Sequence, residues 1–92
     1  MRITFVAVAD LREYFGREPV ELQLPDEATL SSVLELIAQR WGPQLPAYMW
    51  DGARQRFRGP ILLLVDKKVQ LDHSTPLCDG QEVTVMHALA GG

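Results

Sequence analysis

The stretch Thr29-Leu30-Ser31-Ser32-Val33-Leu34-Glu35-Leu36-Ile37-Ala38-Gln39-Arg40-Trp41-Gly42-Pro43 decides how the rest of the chain must be arranged. Leu30, Val33, Leu34, Ile37, Ala38 and Trp41 recur at helical spacing, so they form one apolar stripe. Ser31, Ser32, Glu35, Gln39 and Arg40 fall on the opposite side. Thr29 is suited to cap the first turn, because its hydroxyl can accept one of the orphan amide protons there. Gly42 is expected to supply a left-handed stop, and Pro43 forbids continuation. A lone amphipathic helix with one apolar stripe needs an apolar surface to lie on, and the flanking sequence supplies strands.

Upstream, Val20, Leu22 and Leu24 alternate with Glu21 and Gln23, the cleanest period-two stretch in the chain. Residues 2 to 9 read Arg-Ile-Thr-Phe-Val-Ala-Val-Ala and carry apolar side chains on both faces, the mark of a central strand. The link over residues 10 to 18 is short and polar. It predicts an antiparallel pair, with Leu11, Tyr14 and Phe15 packing the turn onto the core. Downstream, Ile61 to Val65 is a solid apolar strand, and Val69 and Leu71 suggest a short edge strand after the Asp66-Lys67-Lys68 turn. Val83, Val85 and His87 alternate with Thr84 and Met86 in a last strand. The first and last strands are the most apolar and belong in the middle. The expected fold is α+β: a mixed sheet of about four to five strands with one main helix packed on one face.

Residues 43 to 60 hold Pro43, Pro46, Gly52, Gly59 and Pro60 and read as irregular. Tyr48, Met49, Trp50 and Phe57 make this stretch unusually apolar for a loop, so it is expected to fold back over the core. A partner-docking patch is the sharper alternative. Arg54, Arg56 and Arg58 beside it either solvate the loop or face an acidic partner.

The chain has 92 residues and a net charge of -3, which fits one domain and argues against nucleic acid or an anionic membrane as partner. The single cysteine, Cys78, excludes an intramolecular disulfide and fits a cytoplasmic setting. Cys78 has no neighbouring base or CxxC partner and is expected to be buried and structural. His73, Cys78 and His87 do not make a metal-site spacing. His87 reads as a strand residue facing solvent or the sheet edge. No phosphate-binding or nucleophile motif is present, so no catalytic residue and no bound cofactor are expected.

Several segments resemble the ubiquitin-like β-grasp sulfur carriers, the MoaD/ThiS-like family that includes the small subunit of molybdopterin synthase and the thiamine-pathway carrier. They are Ile3-Thr4-Phe5 with Leu11-Arg12-Glu13 and Gly16, then Ala28-Thr29-Leu30 with Val33-Leu34 and Ile37, then Asp79-Gly80-Gln81-Glu82-Val83, and the final Gly91-Gly92. The resemblance implies a β-grasp domain over residues 1–87 and a flexible tail over 88–92. It also implies a carrier that is not itself an enzyme. An E1-like adenylating enzyme would use ATP to activate the carboxylate of Gly92. A persulfide enzyme would then supply sulfur to make a thiocarboxylate, and a synthase subunit would accept that sulfur. Gly91, lacking a side chain, would let the tail enter narrow partner sites. Partners would dock on the open sheet face and the tail, with Phe57 and Leu89 contributing. The family typically has a proline-rich stretch before the diglycine, and this chain has Met86-His87-Ala88-Leu89-Ala90 instead.

The molybdopterin, or molybdenum cofactor, pathway is the favoured output, with thiamine, cysteine and thiolated tRNA as the other outputs the family serves. A ubiquitin-like modifier joined to target lysines through Gly92 shares the activation step. A β-grasp binding module with an incidental diglycine belongs to a different class.

Overall fold

The computed structural model describes residues 1–88. Five strands form one mixed sheet: β1 (Arg2–Ala7), β2 (Val20–Gln23), β5 (Ile61–Val65), β6 (Lys68–Val69) and β7 (Glu82–His87). Their order across the sheet is β2-β1-β7-β5-β6. β1 and β7 run parallel, with Phe5 opposite Val83 and Ala7 opposite Val85. The other pairings are antiparallel. The two most apolar strands are thus neighbours, and β7 is the middle strand of the five, as the two-faced apolar patterning predicts.

Helix α2 (Leu30–Arg40) lies on one face of this sheet and buries Leu30, Val33, Leu34 and Ile37. Thr29 and Ser32 make a reciprocal capping box, each side chain accepting from the other's backbone amide. The helix does not stop as expected. Gly42 is not left-handed; only Gly16 and Gly80 among the described glycines have positive φ. Instead the Trp41 amide donates to the Ile37 carbonyl, and Pro43 tightens the chain into a 3-10 turn over Gly42–Gln44.

The link between β1 and β2 is helical: a 3-10 turn at Ala9–Leu11 runs into the short helix α1 (Arg12–Phe15). Leu11 and Phe15 are buried and Tyr14 is half-buried, so this link does pack on the core. The stretch after α2 is more regular than its glycines and prolines suggest. It holds a two-stranded ribbon of β3 (Trp50–Asp51) and β4 (Arg56–Phe57). Met49 and Trp50 are buried, while Tyr48 stays 56% exposed.

Aromatic rings bind the ribbon, α1, α2 and β1 together. Phe5 stacks edge-on to Phe15 at 5.4 Å between ring centroids and lies 5.5 Å from Trp41. Phe15 meets Phe57 at 6.2 Å, and Phe57 meets Trp50 at 4.9 Å. Such edge-to-face pairs add stabilisation beyond their buried area. Phe5 is 1% exposed at the centre of this cluster. Replacing it with alanine removes a whole ring and leaves a cavity, so Phe5→Ala is expected to cost about 3–5 kcal/mol, read from urea unfolding at constant m-value.

Asp51 organises the tip of the ribbon. Its carboxylate accepts the Ala53 and Arg54 amide protons at 3.1 Å and lies 3.9 Å from the guanidinium groups of Arg54 and Arg58. Its pKa is lowered, first by the Arg54 amide hydrogen bond and then by the Arg58 charge, with desolvation opposing. A lowered carboxylate pKa stabilises the fold above the unfolded value and loses that contribution as pH falls through the folded one. Acidification below the ordinary carboxylate value of 3.8 is therefore expected to speed amide hydrogen exchange at Ala53 and Arg54 before the sheet amides respond. In Asp51→Asn this acid-dependent step should be missing.

Candidate functional site

Strand β7 places the end of the described chain in the middle of the sheet. On one side the Val8 amide donates to the Val85 carbonyl at 3.2 Å; on the other the Ala88 amide donates to the Pro60 carbonyl at 2.6 Å. The backbone that leads into the tail is therefore held on the β1 side as far as Val85 and on the β5 side as far as Ala88. Leu89, Gly91 and Gly92, the tail residues singled out in the sequence, lie outside the described residues.

His87 is the last residue of β7, opposite Ile61 of β5. Because Val83 and Val85 point toward α2, the two-residue strand period puts His87 on the helix side as well. Its Nε2 lies 3.4 Å from the Asp10 carboxylate on the 3-10 turn after β1. That contact lacks hydrogen-bond geometry, and among the described residues the buried Nε2 has no other partner. At that distance the two would form an ion pair only with a protonated imidazole, and the poor alignment would make it a weak one. Beside it, Ala9, Asp10, Arg12, Glu13 and Arg17 line a polar recess of about 310 Å³ whose acidic and basic side chains balance.

The sheet face away from α2 is uncovered by any described helix. Strand register sets its rows. Val6, Thr84, Leu64 and Val69 lie side by side across β1, β7, β5 and β6, and Met86 lies beside Leu62. Toward the opposite end, Glu21, Thr4 and Glu82 form a polar row. The open face is therefore apolar at the end where the chain leaves the sheet and polar at the other. Val69 is 50% exposed, and Val6, Leu62, Leu64 and Met86 are partly so. Phe57 sits on the helix side, half-buried against Phe15 and Trp50, and not in these rows. Sequence alternation marked the strands, but only the register showed which side chains share the open face.

The remaining singled-out residues are scattered. Cys78 is exposed, contrary to the expectation of a buried thiol; Leu77 takes the inward position beside it, 5% exposed. The alternation of this irregular loop could not be phased from sequence. The thiol lies at the start of β7, near Arg2, and so at the opposite end of the sheet from His87. The His73 carbonyl accepts from the Ser31 amide at the start of α2. The His73 pKa is lowered by burial and by the nearby Arg56 charge, with Asp72 opposing. Asp79 accepts the Arg2 amide proton at 2.6 Å and Asp72 accepts from Ser74, so both carboxylates brace turns. Among the described residues no His, Cys, Asp and Glu group is placed to hold a metal ion. No described helix is long and apolar enough to cross a membrane.

A five-stranded mixed sheet grasping one helix, with the chain end leaving its central strand, is a β-grasp. The family model of the ThiS family matches residues 7–92, and so includes the final diglycine. The chain belongs to the ThiS family. None of the curated proteins compared matches it. Among solved structures, it is similar to SAMP1 of Haloferax volcanii, with a TM-score of 0.79 and 18% identity over 100% of both chains. Urm1 of Trypanosoma brucei gives a TM-score of 0.75 and 22% identity, covering 99% of this chain and 95% of that one. A chain from the complex of subunits 1 and 2 of the molybdopterin-converting factor of Helicobacter pylori gives 0.57 and 14%, with full coverage of both. At such identities these likenesses establish the ubiquitin-like fold.

Proposed function

We propose that this ThiS-family chain is a sulfur carrier whose reactive group is the carboxylate of Gly92. The observation that carries this reading is the family match running to the diglycine, on a chain whose last strand is the middle one of the sheet. A carboxylate is a poor electrophile, so a partner must activate it. An adenylating enzyme spends ATP to form the acyl-adenylate at Gly92. The terminal sulfur of a persulfide-bearing donor displaces AMP to give an acyl disulfide. A second thiol cleaves its S–S bond, forming a disulfide with the donor and releasing the thiocarboxylate, which delivers sulfur to an acceptor in a synthase subunit. The carrier supplies reach and placement: residues 88–92 form the arm, and the fixed root on β7 raises the effective concentration of the reacting group in the partner's site. Gly91 gives the clearance a narrow channel needs. The chain brings no acid, base or metal of its own to these steps.

The apolar rows of the open face lie at the arm's end of the sheet, where a partner gripping the arm would also meet Val6, Leu62, Leu64 and Met86. Leu89 would contribute from the tail, whereas Phe57, packed against Phe15 and Trp50 on the helix side, lies off that contact. Molybdenum cofactor synthesis is the favoured pathway, since a subunit of a molybdopterin-converting factor shares the fold. The likeness to SAMP1 and Urm1 keeps a second reading in play, a modifier joined to target amines through the same activated glycine.

Intact mass spectrometry after incubation with ATP, an adenylating enzyme and a sulfur source tests the first reading. The expected product is a terminal thiocarboxylate that does not form when Gly92 is deleted. A binding module would give no adenylate and would keep its activity without Gly91 and Gly92. Met86→Asp places a charge among the open-face rows without touching the helix-side core. It is expected to slow adenylation at least tenfold while circular dichroism stays unchanged.

A further inference from the structure

The chain contains two lysines, Lys67 and Lys68, adjacent in sequence; apart from His73 and His87, every other basic side chain is arginine. Both are exposed and sit on the turn between β5 and β6. Val65 pairs with Lys68, so Asp66 and Lys67 are the two loop residues, with φ of 49° and 71°. Two positive φ values define the tight hairpin turn that favours Asn-Gly, and Lys67 occupies the position where glycine is preferred. Asp66 braces the turn, accepting from the Glu82 amide at 3.0 Å and from the Gln81 side-chain amide at 3.2 Å. Among the described residues no carboxylate lies within ion-pair distance of either lysine. The amine of Met1, by contrast, is buried: it donates to the Leu24 carbonyl at 2.6 Å and lies 3.8 Å from Asp26.

The turn and the tail root stand at opposite ends of the sheet. The Asp66 amide donates to the Glu82 carbonyl at the start of β7, whereas Ala88 is bonded to Pro60 beyond its end. The strand from Glu82 to Ala88 spans roughly 20 Å. The four residues after Ala88 reach at most about 14 Å. Attack by a chain's own lysine would need its tail to fold straight back, fully stretched, along the strand it has just left. The charged side chains at the tail end include Asp10, Arg12, Glu13 and Arg17, and Arg58 two residues before Pro60, but no lysine. Arginine stays protonated and does not act as an amine nucleophile.

We propose that the Lys67–Lys68 turn is an acyl-acceptor site, taking the activated Gly92 of a second copy of this chain in an isopeptide bond. The inference rests on the proposed activation of Gly92. The lysine nitrogen attacks the Gly92 carbonyl carbon, a C–N bond forms, and the C–O bond to the adenylate breaks. AMP leaves with the electron pair and the amine gives a proton to solvent. ATP and the partner adenylating enzyme supply the activation. With donor and acceptor at opposite ends, successive links run head to tail and need not close.

The test bypasses the enzyme. A full-length chain carrying a chemically made thioester at Gly92 is mixed with isotope-labelled chain bearing a free carboxylate, and the products are mapped by tandem mass spectrometry. Mixed dimers linked at Lys67 or Lys68 are expected, falling at least tenfold with the acceptor Lys67→Arg/Lys68→Arg. Acylation of Met1, lactam closure within the donor, or undiminished dimer with the double variant would each overturn the proposal. So would the absence of dimer while free lysine at equal concentration is acylated. Because the thioester is made chemically, a failure here is distinct from a failure of enzymatic adenylation.

Discussion

The parallel pairing of β1 with β7 is the constraint on which the rest of the structure depends. Phe5 lies opposite Val83, so the first and last strands cannot meet until nearly the whole chain has been laid down between them. A parallel neighbour also cannot be reached through a tight hairpin; the chain must cross over, and α2 lies within that crossover. Closing so long a loop carries an entropic cost, offset here by burying Ile3, Phe5, Val83 and Val85 on adjacent strands at 0–1% exposure. The same pairing puts the C-terminal strand in the middle of the sheet. A chain end that leaves an edge strand could fray; this one leaves a strand bonded on both sides.

A single helix covers a single face. The helix side is therefore where the large rings collect, and Phe5, Phe15, Trp41, Trp50 and Phe57 form a continuous wall from β1 to the β3–β4 ribbon. The other face is left with medium-sized side chains, Val6, Leu62, Leu64 and Met86, around the nearly buried Thr84. These are apolar enough to favour contact and few enough to stay in water without it. The asymmetry follows directly from element count, before any partner is considered.

Much of this was legible in the sequence because it rests on periodicity. The i, i+3, i+4 stripe of α2, the alternation of β2 and the two-sided apolarity of β1 and β7 each report the surroundings of a whole element. The misses are local. Gly42 looked like a left-handed stop, but Pro43 can end a helix by tightening it into a 3-10 turn, which requires no left-handed residue. Cys78 looked buried because free cysteines usually are, yet in a loop without a period its neighbour Leu77 took the inward position. The β3–β4 ribbon was hidden among glycines and prolines because two-residue strands carry no period at all. The rows of the open face needed the register between strands, which pattern within one strand does not contain.

The departure at residues 86 to 90 has a structural counterpart. A proline at position 88 would lack the amide proton that Ala88 donates to Pro60, and the ladder would end one residue earlier. Prolines ahead of a diglycine stiffen an arm by fixing φ. Here the strand is prolonged instead: His87 still pairs with Ile61, and Ala88 still bonds outward from β7. Both solutions restrict the segment ahead of the diglycine, one by restricting dihedrals and the other by lengthening the sheet. The second depends on the neighbouring segment, since the acceptor is the Pro60 carbonyl, at the end of the long connection from α2. The aromatic packing that anchors that connection, through Trp50 and Phe57, thereby bears on where the arm begins.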